Sequence, residues 1–97
     1  MIFNYVLIMS TQKHFTAEEA RSIGEKLGID WSCFGIEQFR SGMDVETEHG
    51  ARDSATNVTN DDPLLIGKIA LAHLNELPDY YTRLEKMEKE GAAALEG

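Results

Sequence analysis

An all-α fold, a compact bundle of three to four short helices, is what the chain predicts, on three observations. Apolar residues recur at spacings of three and four in four separate segments. Residues that start and stop helices bracket those segments. The only β-like stretch is the apolar leader, "MIFNYVLIMS".

The first helix has a defined start. In "FTAEEARSIGEKLGI", Thr16 is the N-cap and Glu19 holds the capping-box position. Phe15 and Ala20 are placed as a small hydrophobic staple, and Ala20, Ile23 and Leu27 form one apolar stripe. Gly28 is the expected stop. In the connector "IDWSCFG", Ile29, Trp31 and Phe34 read as core plugs. Cys33 reads as a small core residue, since nothing local would activate it as a nucleophile.

The second helix is predicted from Ile36 to His49, with Gly50 ending it. Ile36, Phe39, Met43 and Glu46 share its inner face, and Gly42, Val45 and His49 continue the edge. Asp44 and Glu48 are expected to point to water. The polar loop "ARDSATNVTND" follows. Its Asn57-Val58-Thr59 triplet reads as turn chemistry. Asn60, Asp61 and Asp62 lack the spaced ligands of a calcium loop, so Asp62 is taken as the cap of the third helix with Pro63 at its first position.

The third helix should run from Pro63 to about Leu77, with Ile66, Ile69, Ala70, His73 and Leu77 on one face. Pro78 breaks the run, and "DYYTRLEKMEKE" is the fourth helix. Tyr80 or Tyr81, Leu84, Met87 and Glu88 mark its inner face, and Glu85–Lys89 is an exposed i,i+4 pair.

The size of the chain, 97 residues, allows one small domain. Residues 15–90 are its expected extent, after a leader at 1–14 and before a disordered tail at 91–97. Acidic residues number 17 against 9 basic, a formal net charge of −8. Such a surface repels phosphate backbones and anionic membranes, so neither nucleic acid nor membrane is an expected partner. The leader is too short to span a bilayer and lacks the features of a secretory signal. One cysteine forms no internal disulfide, which fits a cytoplasmic protein.

Several local patterns carry a resemblance. "VETEH" at residues 45–49, Asp61-Asp62-Pro63, and "ALAHLNELPDYY" at 70–81 resemble a V-E-x-E-H, D-D-P, A-x-x-H-L-x-E-x-P-x-Y-Y core. That core belongs to a family of uncharacterised small bacterial and bacteriophage proteins. "FTAEEARSIGEKLGIDW" looks like the N-terminal part of the bacterial form, so the resemblance covers residues 15–88. It implies no activity. It does imply that helices 2 and 3 form an antiparallel hairpin, with the long polar loop as a surface excursion.

Glu46-x-x-His49 resembles one ligand pair of a di-metal helical bundle. Such centres need two such pairs plus further carboxylates. This chain has one forward pair and a reversed one, His73-x-x-Glu76, so a full di-metal centre is not expected from one copy. In a hairpin, His73 lies ten residues past Pro63, about 15 Å along the axis. It should face the Phe39–Met43 part of helix 2 and meet Glu46 only if the helices cross near their middles.

Three readings follow. The first is a buried polar network in which Glu46 accepts from His73 or a tyrosine, inside a helical interaction module with a protein partner or a second copy. A second is a Zn, Fe or Mn site of Glu46, His49 and His73, with Glu76 and Tyr80 as further ligands. Acid/base chemistry by Glu46 and His73, with a tyrosine as donor, is the third. No phosphate loop, nucleophile elbow or dinucleotide fingerprint is present, and no catalytic residue is assigned.

Overall fold

The computed structural model describes residues 14–52 and 54–96, with the side chains of 49–52 and 96 outside that description. The leader at 1–13 also lies outside the described residues. Among the described residues there are four α-helices and no strand.

The first helix, α1 (Ala17–Lys26), begins as its sequence dictates. Thr16 Oγ1 accepts from the Glu19 N–H at 3.0 Å, and the Thr16 N–H donates to the Glu19 carboxylate at 2.9 Å. These two bonds satisfy backbone donors that a helix start leaves unpaired. At the other end Gly28 takes φ 72°. The Gly28 N–H reaches Glu25 O at 3.1 Å and the Ile29 N–H reaches Gly24 O at 3.0 Å, the pairing of a Schellman stop.

The connector then turns on Asp30, whose Oδ1 accepts from the Ser32 N–H and hydroxyl at 2.9 and 2.7 Å. These bonds, the backbone one first, hold the Asp30 carboxyl below its usual range. The turn sends Trp31 and Phe34 inward, edge-on to one another, with Trp31 also edge-on to Phe39. Cys33 is left exposed. The expected core role of Cys33 is therefore corrected: the two aromatics take the inward positions of the turn.

Next comes α2 (Ile36–Arg52), which runs past Gly50 rather than ending there. A glycine lowers helix propensity by about 1 kcal/mol, which neighbouring turns can carry. A 3-10 turn (Ser54–Thr56) follows, and the loop closes on Asn57, whose side chain accepts from the Asn60 N–H at 2.9 Å. Asn60 and Asp61 adopt positive φ, as short polar side chains tolerate.

Asp62 caps α3 (Pro63–Glu76) by accepting from the Leu64 N–H at 2.9 Å, with Pro63 in the first turn. Its buried stripe is Ile66, Gly67, Ala70 and Leu74, and Leu77 is exposed. The stripe is turned from the expected one because α3 packs against both α1 and α2. The last helix, α4 (Tyr80–Glu96), continues through the tail-like "GAAALE" instead of stopping at 90. Alanine and leucine are strong helix formers there. Tyr81 is buried, Leu84 half-buried, and Met87 exposed, so α4 touches the body with its first turns and the expected inward Met87 is corrected.

Phe39, Met43, Ile66 and Leu74 are the largest fully buried side chains. Burying a residue of that size contributes roughly 1.5–3 kcal/mol. The most extensive packing joins α2 to α3, the hairpin expected from the sequence. The Phe39 ring abuts Gly67, 3.3 Å from where a Cβ would stand, while Glu46 meets His73 at 3.7 Å. No helix among the described residues is long and apolar enough to cross a membrane.

Candidate functional site

One ridge of α2, residues 38, 42 and 46, receives the start of α4. The i,i+4 spacing stacks these residues along a single face. Gln38 Oε1 accepts from the Tyr81 and Thr82 N–H groups at 3.0 and 3.3 Å, capping donors in the first turn of α4. Its Nε2 donates to Thr82 Oγ1 at 3.1 Å. Gly42 makes room for the Tyr81 ring, which a Cβ at 42 would strike. Glu46 then accepts the Tyr81 hydroxyl at 2.7 Å, in a buried setting.

His73 enters from α3. Its Nε2 lies 3.7 Å from the same Glu46 oxygen, ion-pair range for a charged ring and too long for a hydrogen bond. Its ring stacks on Tyr80, with centroids 4.3 Å apart and planes 9° from parallel, and Tyr81 stands edge-on to both. Glu46, on the inner stripe where an apolar residue would be expected, thus sits where α2, α3 and α4 converge.

The electrostatics follow the geometry. Burial pushes the Tyr81 hydroxyl far above its ordinary range, and the Glu46 hydrogen bond and charge push it further. Burial also raises Tyr80, helped by the charges of Glu46, Glu76 and Glu88. Both shifts favour the neutral phenol, and Tyr81 donates its hydroxyl to Glu46.

Of the residues singled out from sequence, Glu46, His73 and Tyr80 are brought together. Glu76 is exposed, its charge acting on the Tyr80 hydroxyl. The His49 side chain lies outside the described residues. Among the described residues no three His, Cys, Asp or Glu side chains gather as metal ligands would. From sequence Tyr81 stood only as one of two candidate tyrosines for Glu46, and Gln38 was not assigned to the site, although its i,i+4 spacing from Gly42 and Glu46 puts it on the same face.

A second ridge of α2 corrects another expectation. Asp44 and Glu48, expected to face water, are both 5% exposed. Asp44 Oδ1 accepts from the Phe15 N–H at 2.8 Å. Its Oδ2 lies 3.0 Å from His14 Nδ1 and accepts from Arg40 Nη1 at 2.9 Å. Arg40 also binds the Phe15 carbonyl at 3.2 Å and both oxygens of Glu37. The Glu37 bond and the nearby Asp44 charge raise the guanidinium's pKa, and Arg40 in turn lowers that of Glu37. Periodicity missed the Phe15 and His14 contacts to Asp44, because residues 14 and 15 precede α1 and no helical wheel places them; Arg40, four residues before Asp44 on α2, lay within its reach.

With this geometry in hand, comparison with known proteins identifies the family. A family described as "Protein of unknown function (DUF5661)" matches residues 20–90, most of the chain, and the chain belongs to it. No curated protein and no solved structure matches it.

Proposed function

We propose that this chain is a small helical interaction module, joined to a protein partner or a second copy, whose buried Glu46–His73–Tyr81 network fixes how α2, α3 and α4 meet. The observation that carries this reading is the 2.7 Å bond from Tyr81 to Glu46. The most reactive-looking carboxylate of the inner face is spent on a neutral phenol. A satisfied buried polar network specifies one packing arrangement. Contact surface is supplied by exposed Leu65, Leu77 and Met87, which the core does not use, and by the apolar leader. A cytoplasmic location fits the single cysteine.

Size-exclusion chromatography with light scattering, on the full chain and on a chain lacking residues 1–13, tests the reading. It expects the full chain to self-associate or to retain a specific partner in pull-downs, and the shortened chain to lose this. A strict monomer that captures no partner would count against it.

The facing of Glu46 and His73 favours a second reading, a Zn, Fe or Mn site completed by His49. Elemental analysis of protein purified without a nickel column decides it. Stoichiometric metal, with a melting temperature that rises on adding Zn²⁺ or Fe²⁺, supports the site. No metal and no shift removes it.

A further inference from the structure

We infer that Asp44 and Arg40 form an anchor that holds the arm before α1 against α2, and that this arm opens separately from the four-helix body. The inference is independent of the interaction reading, because it concerns only how residues 14 and 15 are held. Asp44 is buried and spreads its two oxygens over three donors from two places: the Phe15 N–H, Arg40 Nη1, and His14 Nδ1 in the tautomer or charge state that carries a proton there. Arg40 closes the ring by donating to the Phe15 carbonyl, so both polar groups of the Phe15 backbone end on α2. Glu37 fixes the far side of the guanidinium, as two carboxylates gripping one planar fork do.

The arm can open by itself because α1 does not depend on it. Thr16 and Glu19 cap the helix reciprocally, so its first turn stays satisfied without residues 14 and 15. The Phe15 side chain, 7% exposed, and the polar anchor are among the ties that hold the arm to the body. Segments can open locally at lower free energy than the whole molecule, and amide exchange reads that opening residue by residue.

Asp44 thus positions the Phe15 backbone against α2. Hydrogen exchange on the full chain tests this, comparing D44A and D44N with the wild type. The expected result is at least tenfold faster exchange of the Phe15 amide in D44A, with the Ala70 amide in α3 unchanged. D44N, which keeps an acceptor for the Phe15 N–H but loses the charge, should fall between. An equal rise at Phe15 and Ala70 would mean that the arm unfolds only with the whole molecule, and would overturn the inference. Unchanged exchange at Phe15 in D44A would overturn it too.

Discussion

Tyr81 and Glu46 meet at 2.7 Å, and the pair makes the sharpest predictions at the scale of single residues. Removing the hydroxyl in Y81F leaves a buried carboxylate short of a donor and should cost about 1.5–3 kcal/mol, read from the denaturant midpoint at unchanged slope. The pH dependence has a definite sign. The folded state holds the phenol above its ordinary value of 10.0. The stability it contributes is therefore complete below that value and is lost as pH rises beyond it, because the unfolded chain gives up a proton that the folded one keeps. Wild-type protein should lose stability more steeply than Y81F between about pH 9 and about pH 11. That Glu46 lay inward was legible, since the apolar spacing of α2 placed it there. That Tyr81 was the donor, and His73 the more distant neighbour, was not, because periodicity cannot rank two adjacent tyrosines.

Among the helices, the sequence was most legible where local chemistry decides. Thr16–Glu19, Gly28 and Asp62–Pro63 set the helix ends within a few residues of themselves, and the structure follows them. Thr16→Ala should cost about 1 kcal/mol, seen as a lower melting temperature. Faces set by long-range packing were less legible. Leu77 and Met87 carry the apolar signal yet stay exposed: the α3 stripe is turned by packing against α1 and α2, and α4 leaves the body after its first turns. Gly42 reads as an ordinary helical glycine until the Tyr81 ring is seen resting on it. Gly42→Ala should therefore destabilise, on the order of 1–3 kcal/mol, by overpacking that contact. Gly91 is the control: a Cβ there meets nothing within 4 Å. Gly91→Ala should leave the protein unharmed or stabilise it by about 0.5–1 kcal/mol.

For the whole molecule, the all-α class followed from periodicity and helix-end residues, and the hairpin of α2 and α3 followed from the resemblance. Which small residues of α3 lie at the contact could not be read: Gly67 meets the Phe39 ring and Ala70 is fully buried, and nothing in an apolar count distinguishes them from filler. Two ridges of α2 organise the rest. Residues 38, 42 and 46 hold α4, and residues 37, 40 and 44 hold the arm before α1. The net charge of −8 opposes compaction, so raising ionic strength from about 0.01 M to about 0.3 M should raise the melting temperature as repulsion is screened. The central claim is that Glu46 and Tyr81 are a structural pair joining α2 to α4. A double-mutant cycle with E46M and Y81F, followed by chemical denaturation, tests it most directly. A coupling free energy of about 1.5–3 kcal/mol is predicted; a coupling near zero would contradict it.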